Sequence, residues 1–259
     1  MSSEKDIFGR RKALKIAGSG LSLATVGSAS ANASSGRELS DILEKARRIR
    51  ERTGSQEQFI AYLENHGVSI NTSKNEFKKP ARPSDGTSEN VTTQKVEDAD
   101  MTGYLTVGGN LTETFADYKV EIKDGYGTGE DNHDVIGISW VPDDYDLQEN
   151  GTRTQDATNA YLKDSSFDGA LWGFDDFNAC GWGCDLSFSV ATDMDKTTTE
   201  TPRKIEATYQ TVWNESTSVV GFSVDSSGSM SLSVSGGGGQ TYVEQIDRQV
   251  VKESQSTEL

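Results

Sequence analysis

The chain has 259 residues, 41 acidic against 25 basic side chains and a formal charge of −16. That charge argues against nucleic acid or an anionic membrane surface as partner of the whole molecule, because like charges repel at both. Two cysteines are too few for a disulfide framework or a closed four-cysteine zinc site. Apolar residues at 33% allow a core, but a lean one.

The N-terminus runs Phe8-Gly9-Arg10-Arg11-Lys12-Ala13-Leu14-Lys15, then a weakly apolar stretch from Ile16 to Val26, then small residues around Ala29, Ala31 and Ala33. Basic, apolar, then A-x-A is the order of a signal peptide, here expected over 1–33. The pair Arg10-Arg11, followed by Leu14 and Lys15, resembles the twin-arginine export signal. Gly9 and Ala13 depart from its usual Ser/Thr and Phe. The resemblance implies a twin-arginine translocase as partner during export, and an extracellular destination. Residues 1–33 carry five basic and two acidic side chains, so their removal takes the charge from −16 to −19. With this export signal, the acidic, Asp/Ser/Thr-rich remainder resembles secreted proteins of halophilic archaea, whose surface carboxylates hold water and cations at molar salt. The resemblance supplies a location and no activity. No other run of 18 apolar residues occurs, so no transmembrane helix is expected.

Residues 34–70 read as a helical hairpin. Ser35-Gly36-Arg37-Glu38 has capping-box spacing, Leu39, Ile42, Leu43, Ala46 and Ile49 share one helical face, and Gly54 ends the run. Ser55 to Gln58 opens a second short helix closed by Gly67. The cluster Arg47, Arg48, Arg50, Arg52 reads either as a surface contact or as a face interleaved with Glu44 and Glu51 and docked on the acidic remainder. Residues 71–97, with Pro80, Pro83 and Asp85-Gly86, read as a flexible linker.

From residue 98 to 252 the apolar period becomes two. Eight segments alternate or are β-branched and aromatic: around 104–107, 118–122, 135–140, 186–190, 204–209, 219–224, 230–234 and 241–246. Turn chemistry separates them, and the expected fold is mainly β, an antiparallel β-sandwich or jelly-roll-like domain preceded by the small helical hairpin. Residues 253–259 read as a tail.

The most unusual stretch is 170–185, which holds two of the four tryptophans and both cysteines. In an exported protein Cys180 and Cys184 read first as a short disulfide fixing the Gly181-Trp182-Gly183 loop. Two buried thiols are the alternative, and zinc lacks nitrogen ligands beyond His133. Trp172, Phe174 and Trp182 beside Asp175, Asp176 and Asp185 form a candidate ligand-binding platform, with rings stacking on sugar faces and carboxylates accepting hydroxyl protons. The competing reading places the rings in the core. Asp131 and Asp134, and Asp143, Asp144 and Asp146, offer oxygen ligands in loops, weak candidates for calcium; no other cofactor is indicated. No Gly-x-Ser-x-Gly elbow, phosphate loop or His-Glu-x-x-His helix occurs. No catalytic residue is identified; for a hydrolase, the paired carboxylates Asp175 and Asp176 and the lone His133 are the positions to test, though nothing sets that pair apart from the chain's other acidic pairs. The expectation is a secreted, salt-adapted binding protein for a glycan or a cell-surface partner. A halocin-like antimicrobial protein and an extracellular hydrolase are the alternatives.

Overall fold

The computed structural model describes residues 36–79, 99–126, 133–155, 160–175, 182–198, 203–213, 217–236 and 242–253. All of them fall in one compact unit, Asn32–Leu259. The export signal and its Arg10, Arg11, Leu14 and Lys15 lie outside the described residues, as do Asp131, Asp176 and Cys180.

Two helices, α1 (Gly36–Thr53) and α2 (Gln56–Asn65), precede twelve strands. These are β1 (Ser69–Lys79), β2 (Ala99–Gly109), β3 (Glu113–Tyr126), β4 (His133–Trp140), β5 (Tyr145–Gln155) and β6 (Ala160–Ser166), then β7 (Gly169–Asp175), β8 (Trp182–Lys196), β9 (Lys204–Trp213), β10 (Thr217–Val224), β11 (Met230–Gly236) and β12 (Tyr242–Lys252). One sheet has the order β1-β2-β3-β8-β5 and the other β12-β9-β4-β7-β6; β10 and β11 form a separate two-stranded ribbon. Every pairing among the described residues is antiparallel. The fold is mainly β, with the sandwich core between the two five-stranded sheets.

Alternation sets which side chains enter that core. In β3, Ala116, Tyr118, Val120 and Ile122 point inward, meeting Ile136, Ile138 and Trp140 of β4 and Ile205, Ala207 and Tyr209 of β9. The opposite face of β3 carries Phe115, Asp117 and Lys119, and the helices cover it. Leu39, Leu43, Ala46, Phe59 and Leu63 pack with Phe115 in a second cluster. Arg50 reaches through this cluster to Asp117, Gln155 and Ser189. Arg47 pairs with Asp193, and Gln56 donates to Thr106. Two of the four arginines of the basic cluster are thus docked on the sheet, while Arg48 is exposed and paired with Glu44.

The hairpin and the sandwich share one core unit, and the expected linker over 71–97 is corrected at its start: 69–79 form β1, paired with β2 along its whole length. Only Ile70 and Phe77 of β1 pack on apolar clusters, and its lysines suit a sheet edge, where charge discourages further pairing.

Candidate functional site

Burial removes Trp172 and Phe174 from the aromatic platform expected at 170–185. Trp172 and Phe174 are fully enclosed in the main core, and Phe174 stacks on Phe188 with ring centroids 4.3 Å apart. The reason is register: β7 is a central strand, flanked by β4 and β6, so Ala170, Trp172 and Phe174 all face the opposing sheet. Burial leaves the Trp172 indole N–H without a hydrogen-bond partner among the described residues. Trp182 and Cys184 begin β8, in register with Tyr126 and Gly125 of β3, and Asp185 beside them is exposed. Asp175 stands opposite His133 where β7 meets β4.

The described calcium candidates, Asp134, Asp143, Asp144 and Asp146, form no metal-holding group. Asp134 is buried at the start of β4, where Tyr209 and Thr211 donate to its two oxygens at 2.5 and 2.7 Å. It is a satisfied core carboxylate and not a loop ligand. Asp143 and Asp144 lie in the turn beyond the other end of β4, and Asp146 is exposed on β5. Asp143 has φ of 73°, and its carbonyl accepts from the Thr197 hydroxyl. Among the described residues no three His, Cys, Asp or Glu side chains form a group able to hold a metal ion.

The interior carboxylates are structural partners. Asp247 accepts from Tyr118 at 2.5 Å, Asn75 at 2.7 Å and Gln249 at 2.8 Å. Glu253 accepts from Thr114 and Tyr145 and pairs with Lys196. Burial, reinforced by the neighbouring carboxylate, pushes the Tyr118 and Tyr145 hydroxyls well above the ordinary tyrosine range. Both phenols therefore remain donors at any working pH, which keeps these carboxylates satisfied.

What the surface offers is an apolar edge. β6 pairs only with β7 among the described residues, and Tyr161 and Leu162 at its start are 44% and 43% exposed. Phe167, in the turn after its end, is 64% exposed, and Val220 of β10 is 61% exposed. The Val220 neighbour Gly221 lies against β6, where a Cβ would sit 3.1 Å from the Asp164 carboxylate. The Tyr161 ring lies on the backbone of Gly173, where a Cβ would come within 2.7 Å of the ring. Lys163 Nζ stands 5.4 Å from the ring centroid. The exposed Tyr161 ring, with the Lys163 ammonium over it and Asp164 further along the strand, supplies aromatic surface and both signs of polar contact.

Sequence reasoning missed this edge because β6, with Lys163, Asp164, Ser165 and Ser166, has no apolar alternation. The available signal was Phe167-Asp168-Gly169, a large apolar residue in a turn. A second feature is an open groove of about 570 Å³ lined by Lys45, Arg48, Ile49, Glu51, Arg52 and Tyr62 of the two helices.

No protein-family model matches the chain, and no curated protein does. Among solved structures the chain is similar to the KRT10-binding region domain of the pneumococcal serine-rich repeat protein PsrP, with 10% identity over 56% of this chain and 87% of that one and a TM-score of 0.27. It is also similar to a pore forming protein, with 8% identity over 71% of this chain and 91% of that one and a TM-score of 0.29. TM-scores this low leave neither likeness with any bearing on what this chain does.

Proposed function

We propose that the chain is an exported, salt-adapted binding protein whose sandwich presents the β6 edge to a glycan or protein at a cell surface. The observation that carries the reading is the exposure of Tyr161 and Leu162 on β6, Phe167 in the turn after it and Val220 on the neighbouring β10, in a chain of charge −16. Four of the seven exposed large apolar residues among those described lie on β6, in the turn after it or on β10, and exposed apolar surface of this kind marks interaction sites. Export by the twin-arginine route and life at high salt belong to the same proposal, supported by Arg10-Arg11 and the acidic composition.

Tyr161 fits a sugar face because its ring is already immobilised on Gly173, so little side-chain entropy remains to be lost on binding. The test is retention of purified protein on halophile cell envelopes in molar KCl. Tyr161→Ala with Phe167→Ser should reduce binding at least tenfold. Leu111→Ser, an exposed apolar residue in the turn between β2 and β3, should leave binding unchanged. Equal retention of all three proteins would remove the β6 edge from the reading.

A further inference from the structure

The ribbon β10–β11 has two faces of opposite character. Register pairs Val219 with Val234, Phe222 with Leu232 and Val224 with Met230 on one face. The other pairs Gly221 with Ser233 and Ser223 with Ser231, and Ser235 continues it. One face is apolar from the Val219–Val234 rung to the Val224–Met230 rung, with Thr217–Gly236 at its open end, and the other is serine and glycine, apart from Val220 at the bulge.

No charge interrupts either arm. Ser216 through Val224 is a run of nine uncharged residues, and Ser226 through Val243 is another of eighteen, in a chain that is 25% charged. Other strands open to solvent share the charged character of the whole chain, with Asp146, Glu149 and Arg153 on β5 and Lys163 and Asp164 on β6. If the ribbon served only as a soluble cover, its solvent face would be expected to carry the same carboxylates. Ser223, Ser231, Ser233 and Ser235 are exposed instead.

Its attachment is separable. Among the described residues the ribbon makes no ladder with either five-stranded sheet. Its apolar face rests on a small cluster distinct from the main core, Val135 and Leu171 under Val219 and Met230 with Phe222 and Leu232 beside them. Gly137 admits Met230, whose Sδ lies 2.2 Å from where a Cβ would stand. The tip is held by polar contacts: Ser139 donates to the Gly228 carbonyl at 2.9 Å, and Arg248 bridges Glu206 and Ser229 at 2.8 and 2.9 Å. Lifting the ribbon breaks side-chain contacts and these few bonds, while its own ladder stays intact.

A strand crosses a bilayer with about 9–11 residues, apolar outward and polar inward, and with every backbone group paired in a closed barrel. β10 and β11, eight and seven residues as described, each lie within a charge-free run of nine residues or more, long enough for those requirements, and their apolar/serine alternation supplies the two faces. We infer that β10–β11 is a membrane-inserting hairpin, stored on the outer face of the β4–β7 sheet, and that several copies of the chain each contribute one hairpin to a transmembrane barrel with a serine-lined lumen. This activity goes beyond surface binding, and it does not depend on what the β6 edge recognises.

Two neighbouring residues test it. Val234 on the apolar face is 43% exposed, and Ser233 on the serine face is exposed and sits at the middle rung of the ribbon. A lysine at either position reaches water in the soluble protein, so V234K and S233K should both melt with the parent chain. In a barrel the two variants differ, because the new ammonium of V234K would face lipid near the midplane and that of S233K would face the lumen. The experiment is dye release from phosphatidylcholine vesicles in 1 M KCl, where charge is screened beyond about 3 Å. The parent chain and S233K should release dye, with S233K shifting the bilayer reversal potential toward anions, and V234K should release at least tenfold less. No release by the parent chain, or equal release by V234K and S233K, overturns the inference. The vesicles carry neither glycan nor protein, so that failure leaves the envelope-binding reading standing.

Discussion

Arg50 of α1 sets its guanidinium on the carboxylate of Asp117 in β3, with bonds of 2.5 and 2.9 Å, and both side chains are buried. Gln56 also accepts from Nη1, Gln155 and Ser189 share Nη2 with the carboxylate, and Phe59 lies under the guanidinium at 4.4 Å. The helical hairpin is therefore fixed to the sandwich by a satisfied ionic centre. Removing one partner strands the other in a low-dielectric site, at a cost of about 3–5 kcal/mol. Asp117→Ala should lower the unfolding free energy by that amount in chemical denaturation. Arg48→Ala, at an exposed i,i+4 pair, should change it by less than about 0.5 kcal/mol.

Trp172 tests the correction to the aromatic platform. Its ring is in the core and its N–H is unpaired among the described residues. Trp172→Ala opens a large cavity and should cost about 3–5 kcal/mol. Trp172→Phe loses some volume but removes a buried unsatisfied donor, a penalty of about 1–3 kcal/mol. The two effects oppose each other, so the phenylalanine variant should remain within about 2 kcal/mol of the parent. Envelope binding by Trp172→Phe should be unchanged, whereas a glycan platform at Trp172 would lose affinity.

The ribbon tip gives a pH dependence. Asp225 accepts from the Ser227 hydroxyl and from the amides of Ser227 and Ser229, and these bonds, the hydroxyl first, lower its pKa below the ordinary 3.8. A lowered carboxyl stabilises the turn above its ordinary range, and that stabilisation fades as pH falls through the lowered value. Hydrogen exchange at the Ser229 amide should therefore lose protection on acidification below pH 3.8, relative to the Gly54 amide on Arg50. In Asp225→Asn the protection should be lower at neutral pH and nearly independent of pH.

The fold was legible where apolar and polar residues alternate, as in Ala116-Asp117-Tyr118-Lys119-Val120 of β3 and Ile205-Glu206-Ala207-Thr208-Tyr209 of β9, even though both faces of these strands are buried. All eight segments expected from the sequence are strands. The four missed strands are β1, β5, β6 and β7. Three are sheet edges, where solvent on two sides removes the pattern, as in Tyr145-Asp146-Leu147-Gln148-Glu149-Asn150 of β5. β7 was hidden for the opposite reason: Ala170-Leu171-Trp172 is apolar on both faces, because the core lies under one and the ribbon over the other. That same double burial made Trp172 and Phe174 look like a site. Composition marks unusual residues but does not tell a covered strand from an exposed loop. The Tyr161 edge was invisible because its environment depends on Gly173, a distant position in the sequence, and on the register between β6 and β7.

The most direct test of the binding account is the melting temperature of the chain in molar KCl, scanned against a panel of polysaccharides and against calcium with and without chelator. A ligand at one hundred times its Kd adds about 2.7 kcal/mol to the native state, a rise of roughly 5–10 °C in a domain of this size. The account expects such a rise with at least one polysaccharide or with envelope extract, abolished by Tyr161→Ala without a change in the ligand-free melting temperature, and no response to calcium. A rise with calcium that chelator reverses, or a polysaccharide rise that Tyr161→Ala leaves intact, would contradict it.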